Sequence, residues 1–288
     1  MMQHKGKSVL ITTESVATIP KRLSEEYQIS TIPYMLLTEH GLFQDGIEVD
    51  ARGFLTLSED EEAFAETKVP SVEEHEMFFS KLCDKADAVI HLTVSGKVNK
   101  SGYRQAQKAA ESFKKVIVID SGHVSSGQGL MAIKAARMAK EDATPETIVK
   151  KLEQTKGRIR TSFLVQSLDN MAKHKQVPKY IARFVSAMML HPVLKIRDGR
   201  LVISKLYFGG RKRAWEKYIT SAFRKQGEID RRILCITYVG MTAKELETIR
   251  KMAEKKCKFE KVYCQMASPV VAANCGPGTF GLSFYKKE

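Results

Sequence analysis

Gly276, Gly278 and Gly281 stand in the spacing G-x-G-x-x-G near the end of the 288-residue sequence. Between a strand and a helix, glycines so spaced let backbone N–H groups close on a pyrophosphate. Only seven residues, Leu282 to Glu288, follow Gly281. That is too short for the helix, so the glycines are expected to shape a turn that approaches something other than a dinucleotide. Nucleophilic chemistry has no better footing. There is no G-x-S-x-G elbow, and Gly122-His123-Val124-Ser125-Ser126-Gly127 sets His beside Ser without a third orienting group. No G-x-x-x-x-G-K-[ST] loop is present. His91 lies inside an apolar run and reads as a core residue. The five cysteines (Cys83, Cys235, Cys257, Cys264, Cys275) include no C-x-x-C pair and no zinc-finger spacing, so reduced thiols and no metal are expected. What remains is a set of uncharged donors: Thr12, Thr13, Ser15, Thr67, Ser95, Ser101, Ser121, Ser125 and Asn274. Hydroxyls, a carboxamide and glycine-loop N–H groups suit an anionic head group such as a carboxylate.

These donors fall at the ends of elements. Ser8 to Thr12 is a short β-rich run leading to a helix near Pro20, and Ser30 to Leu37 reads as a second strand before a turn over Gly41 to Gly46. Ser71 is a natural N-cap, with Glu73 and Glu74 in the first turn of a helix reaching about Lys85. Ala88 to Val94 and Val116 to Ile119 are continuous apolar strands, each followed by a polar loop and a helix. Alternation of this kind predicts a parallel sheet covered on both faces, with ligands at the carboxyl edge of its strands. The charged stretch Lys156 to Arg160 marks a boundary between domains 1–158 and 159–288. Beyond it, Asp198-Gly199 between β-rich arms predicts a hairpin. A helix around Trp215, strands at Ile233 to Val239 and Val262 to Met266, a helix from Ala243 to Lys256 and a final strand after Gly278 complete an α+β half.

At 43% hydrophobic and 28% charged residues, the chain reads as globular. No apolar run nears the ~20 residues of a membrane span, and the polar start Met1 to Lys7 lacks a signal-peptide core, so a cytoplasmic protein is expected. Forty-seven Lys and Arg against 33 Asp and Glu leave a net +14. Such an excess attracts nucleic acid, anionic membrane or an acidic protein. The clusters at Lys205 to Arg213 and Lys251 to Lys258 carry no aromatic platform or groove-reading motif, so specific nucleic-acid binding is not expected.

The order of segments resembles the DegV family of two-domain α/β proteins that bind long-chain fatty acids. The resemblance is carried by Ile11-Thr12-Thr13-Glu14-Ser15-Val16-Ala17-Thr18-Ile19-Pro20 (family I-T-D-S-T-x-D-L-P), Asp45-Gly46, and Thr67-Lys68-Val69-Pro70-Ser71 (T-S-x-P-S). It continues through Val94-Ser95-Gly96, Tyr103-Arg104-Gln105-Ala106, Val118-Ile119-Asp120-Ser121 and Ser125-Ser126-Gly127-Gln128-Gly129. It ends with His191-Pro192-Val193-Leu194, Asp198-Gly199 and Asn274-Cys275-Gly276-Pro277-Gly278-Thr279-Phe280-Gly281 (H-x-G-P-G-x-x-G). The resemblance implies a parallel-sheet, three-layer first domain, an α+β second domain and an acyl tunnel between them. It implies that Thr67, Ser95 and Asn274 hold the ligand carboxylate, with Thr13, Gly96, Ser121, Ser125, Gly276 and Gly278 as secondary candidates. It further implies no catalysis, cofactor or metal in this chain, and a separate fatty acid kinase that forms the acyl phosphate for phospholipid metabolism. An anionic membrane surface is a further expected partner.

The chain departs from the family pattern at three places. The family's G-G-R-I becomes His174-Lys175-Gln176-Val177, a second arginine gives way to Gly209 or Gly210 with Arg211 and Arg213 close by, and the head-group histidine is Asn274. Asn donates but carries no charge. These changes leave open another lipid-like or anionic ligand with a regulatory role, and, further off, a nucleic-acid-binding or phosphoryl-transfer protein.

Overall fold

The computed structural model describes residues 8–57 and 65–288; the polar start Met1 to Lys7 lies outside the described residues. In chain order the first elements are β1 (Val9–Glu14), α1 (Lys21–Glu26), β2 (Ser30–Ile32), β3 (Met35–Thr38), β4 (Gly41–Gln44), α2 (Ala51–Leu57), β5 (Glu66–Lys68) and α3 (Val72–Cys83). Next come β6 (Ala88–Thr93), α4 (Lys100–Ala110), β7 (Val116–Asp120), α5 (Ser125–Lys140), α6 (Pro145–Lys156) and β8 (Ile159–Leu164). The remainder is α7 (Asp169–Lys173), α8 (Lys179–Ala187), β9 (Leu190–Arg197), β10 (Arg200–Phe208), α9 (Arg211–Ala222), β11 (Ile229–Tyr238), α10 (Ala243–Lys256), β12 (Lys261–Met266), α11 (Pro269–Cys275) and β13 (Phe280–Lys286).

β2, β1, β6 and β7 form a parallel sheet in that order. Its central strand β6 is buried along its whole length, as a parallel strand covered by helices on both faces must be. Ile90 and Leu92 pack with α5 and α6 on one face. On the other, His91 meets the ring of Phe79 from α3 edge-on at 5.3 Å between centroids. His91 is a core residue with only one nitrogen satisfied: Nδ1 is hydrogen-bonded to Thr12 Oγ1 at 2.9 Å, while Nε2 has no partner. Ser71 caps α3 in a reciprocal box with Glu74.

The run Ser30 to Leu37, expected as one strand, is two. Pro33 supplies no N–H to a ladder, and the chain leaves the parallel sheet there. β3 then pairs with β4 and β5 in a separate three-stranded sheet. α2, β5 and α11, of seven, three and seven residues, were too short to be foreseen; α6 was also missed although Thr144 caps it and Pro145 opens it, and the turn expected over Gly41 to Gly46 begins with a strand, β4.

The second sheet has the order β10-β9-β8-β13-β11-β12, with β11 and β12 parallel and the other neighbours antiparallel. Side-chain alternation along β13 explains how it is covered. Phe280, Leu282 and Phe284 face the core under α9 and α10, where the Tyr218 and Trp215 rings approach Phe280 at 5.2 and 6.3 Å. The intervening Ser283 turns toward α5 and accepts a hydrogen bond from Ser126 at 2.9 Å. α5 is therefore packed between the two large sheets. The hairpin expected at Asp198-Gly199 is present, with both residues at positive φ (51° and 78°), as a two-residue type I′ turn demands.

Candidate functional site

The carboxyl ends of β1 and β6 converge on a buried carboxylate that sequence reasoning missed. Glu14 accepts from the backbone N–H of Val94, from the Tyr34 hydroxyl at 3.1 Å and from Gln128 Nε2 at 3.2 Å. Gln128 also donates to Thr13 Oγ1 at 2.9 Å, and Thr13 donates to the Leu92 carbonyl at 2.7 Å. Burial pushes the Glu14 carboxyl up to about 7, against the pull of its three donors. A second buried carboxylate, Asp45, accepts from Ser15 Oγ at 2.5 Å and from the Val270 N–H at 2.9 Å in the first turn of α11. It thus fixes the helix that carries Asn274. The available signal was the family's Asp in I-T-D-S, which here is Glu14, one carbon longer.

Above this frame lies an apolar cavity of about 190 Å³. From the parallel-sheet side Val16, Tyr34, Val94, Val98 and Val124 line it; from the other side come Phe163, Met171, Leu194, Leu201 and Val270. Its polar lining is Thr67, Asn99, Ser125, Gln176 and Asn274, and none of its described lining side chains is charged. Ser125 starts α5 at φ 51° and shares a hydrogen bond of 2.9 Å with Thr18. A non-glycine residue in that region is strained by ~1 kcal/mol or more, and such strain collects at ligand sites.

The structure brings Thr67 and Asn274 to one cavity and takes Ser95 to another. Thr67 lies on β5 at the edge of the three-stranded sheet, paired with Leu36. Asn274 donates from Nδ2 to the Val270 carbonyl at 2.7 Å and accepts at Oδ1 from Gln176 Nε2 at 2.5 Å, which leaves one amide hydrogen to offer. Ser95 is buried, donates to the Gly199 carbonyl at 2.6 Å, and lines a separate polar cavity of about 650 Å³ with Lys97, Asp120, His123, Lys156 and Arg160. The hydroxyl expected on a ligand thus tethers the tip of the β9–β10 hairpin.

Among the secondary candidates, only Ser125 reaches the apolar cavity. Thr13 is buried in the Gln128 network. Ser121 accepts from the His123 N–H at 3.1 Å and donates to its carbonyl, and Gly96 packs against Tyr103 and Asp120. Gly276 (φ 73°) and Gly278 (φ 77°) turn the chain from α11 into β13. The G-x-G-x-x-G motif is therefore followed by a strand, and no helix end is available to hold a pyrophosphate. Arg211 lies against this turn: a Cβ built on Gly278 would sit 3.2 Å from its Nη2.

Among the described residues no group of His, Cys, Asp and Glu could hold a metal ion, and no helix is long and apolar enough to cross a membrane. Cys235 and Cys257 are buried, and Cys83, Cys264 and Cys275 half-buried.

A family model described as "Uncharacterised protein, DegV family" matches residues 8–287. A DegV domain-containing protein of Caldanaerobacter subterraneus subsp. tengcongensis is 28% identical over 288 residues, covering 98% of this chain and 100% of that one. Protein DegV of Bacillus subtilis is 28% identical over 215 residues, 69% of this chain and 76% of its own. Among solved structures, a DegV family protein from Thermus thermophilus described for its fatty acid binding superposes with a TM-score of 0.86 at 24% identity, over 97% of this chain and 100% of its own. A DegV family protein from Eubacterium eligens loaded with heptadecanoic acid gives a TM-score of 0.84 at 18% identity, over 97% and 100%. At these identities the structures establish the fold alone.

Proposed function

The chain belongs to the DegV family, and from that premise we propose that it binds a long-chain fatty acid in the apolar cavity between domains 1–158 and 159–288. The head group would lie against Thr67 and Asn274, and a separate kinase would take it on to the acyl phosphate. One observation carries the reading: an apolar cavity with hydroxyl and carboxamide donors on its wall and buried carboxylates fixing the elements that present them. Thr67 and Asn274 are the direct contacts proposed; Ser95 acts through the hairpin it tethers. Each buried CH₂ gains ~0.8 kcal/mol, so the tail dominates affinity and the polar groups set orientation.

A cavity of about 190 Å³ falls below the roughly 300–1,000 Å³ of pockets that enclose a drug-sized ligand, so a full tail requires its walls to part. The wall suited to this is the segment of α7 and α8. Its inner side gives Met171 and Gln176 to the cavity, while Tyr180, Phe184 and Met189 are 74%, 60% and 63% exposed outside. Lys173, Lys175, Lys179 and Arg183 share that segment. Exposed apolar groups among cations suit an anionic bilayer from which a lipid is collected. The kinase step rests on family resemblance, and Arg211, beside the Gly276–Gly278 turn, lies close in sequence to the position where the family carries its second arginine.

Native mass spectrometry of the freshly purified chain tests the reading: a copurifying fatty acid is expected, and a lipid-free protein that takes up none from a fatty-acid mixture would reject it. A second reading, a lipid with an uncharged head, is favoured by the absence of charge from the described lining, because an ionised carboxylate is costly to bury among neutral groups. The double variant Gln176→Arg, Asn274→His separates the two. A carboxylate ligand should bind at least about tenfold tighter through a charged hydrogen bond of ~1.5–3 kcal/mol, and a neutral one should gain nothing.

A further inference from the structure

At the far end of α5 from the apolar cavity the molecule has two adjoining hollows of different character. Ser125 and Arg137 are roughly 18 Å apart along the helix at 1.5 Å per residue. The first hollow, about 230 Å³, has the aliphatic side chains Leu23, Leu130, Ile133 and Ile233 and the rings of Tyr27, Tyr263 and Tyr285. Its cations are Lys134, Arg137, Arg158, Arg232 and Lys261, against the single acid Glu260. The second, about 360 Å³, shares Lys134, Arg137 and Arg232 with the first and adds Lys150, Lys151, Thr147 and Gln154, against Glu288.

The cations are crowded beyond what the neighbouring acids neutralise. Arg232 is paired with Asp230, Arg137 with Glu141 at 3.9 Å, and Glu288 is shared between Lys151 (3.3 Å) and Arg158 (2.6 Å). Lys150 and Lys261 have no ion pair among the described residues. Burial, then Lys151 and Arg158, hold the Lys134 amine down at about 8. Arg158 Nε is buried without an acceptor. A cluster of this kind is short of negative charge, and a multiply charged anion would relieve it. Tyrosine rings beside the cations add what a simple anion site lacks, since aromatic faces stack on nucleobases and are tolerant of which base they meet.

The geometry points to a nucleotide site: a nucleobase in the tyrosine-lined hollow, with the phosphates over Lys134, Arg137, Lys150 and Lys151 in the adjoining one. Neither the family resemblance nor the fatty-acid reading uses these residues, and the site stands or falls apart from them.

Calorimetric titration of the full chain with ATP, and with inorganic tripolyphosphate as a base-free control, tests this at low and moderate salt. ATP is expected to bind at least tenfold tighter than tripolyphosphate. Tyr263→Ala should erase that margin and Tyr263→Phe should keep it. Lys150→Gln, at an exposed position of α6, and Lys151→Gln, which gives up only the pair with Glu288, should each weaken both ligands several-fold. Equal affinity for the two ligands would overturn the proposal in favour of a basic surface that takes any polyanion. So would an absence of ATP binding at millimolar concentration, or affinity unchanged in both lysine variants.

Discussion

The two large sheets fill their interiors in opposite ways. Under α9 and α10 the six-stranded sheet is packed with rings: Trp215, Tyr218, Phe223, Phe280 and Phe284 are buried within one cluster. The carboxyl edge of the parallel sheet is packed with hydrogen-bonding groups: Thr13, Glu14, Gln128, Thr93 and Ser95 are each fully buried. Apolar packing stabilises without direction. A buried polar network stabilises only when its members are satisfied, but it fixes positions. The parallel sheet thus holds the loops of the candidate site in place, and the six-stranded sheet gives bulk against which α5 is clamped.

Substitutions should separate the two modes, beginning with the largest. Phe280→Ala should lose about 4 kcal/mol of stability by urea denaturation, the usual cost of removing a buried phenylalanine, and by an amount independent of pH. Glu14→Gln should behave in the opposite manner. The folded carboxyl titrates near 7 and the unfolded one near 4.5, so the folded state holds a proton that the unfolded chain releases. The Glu14 contribution is therefore largest below pH 4.5, declines as pH rises through 7, and is lower by about 3 kcal/mol above it. The variant should be the more stable protein at pH 8 and gain no such advantage at pH 4.5, with urea midpoints as the measure. The difference between variant and parent matters here, because burial holds His75, His91 and His123 below their usual values. Their contribution runs the other way, falling as pH drops below about 6.5, the unfolded value, and it cancels in the comparison.

Gln128→Ala should cost about 2 kcal/mol by leaving Glu14 and Thr13 short of a donor. If it proves harmless, the polar edge is less cooperative than its contacts indicate. Thr67→Ala is the smallest change in stability, within about 0.5 kcal/mol, while fatty-acid affinity should fall about tenfold or more for one hydrogen bond of ~1.5–3 kcal/mol to a charged carboxylate. An unchanged dissociation constant would remove Thr67 from the site.

The contrast also explains what could be read from the residues alone. β6 and β7 are continuous apolar runs, and Asp198-Gly199 carries its turn geometry in its side-chain chemistry, so both were visible. Thr67 and Asn274 were placed through the order of motifs, and both line the apolar cavity. The Ser95–Gly199 bond joins residues 104 positions apart, and no local pattern announces it. The same holds for Glu14, whose role depends on donors from β6, α5 and the Tyr34 segment meeting at one point. Pro33 was present in the sequence, but its effect on a run of β-formers became apparent only once β3 was seen in a different sheet.

β13 lies between β8 and β11, yet it is translated after both. While a ribosome extends the chain, β10-β9-β8 and β11-β12 emerge as two fragments, each with a raw edge and apolar residues awaiting cover. Neither can close on the other until Phe280 to Lys286 arrive between them, and unpaired edges on a nascent chain invite the wrong partner. Correct maturation thus waits on a late insertion, and this half of the molecule should need chaperone protection longer than the parallel sheet made before it.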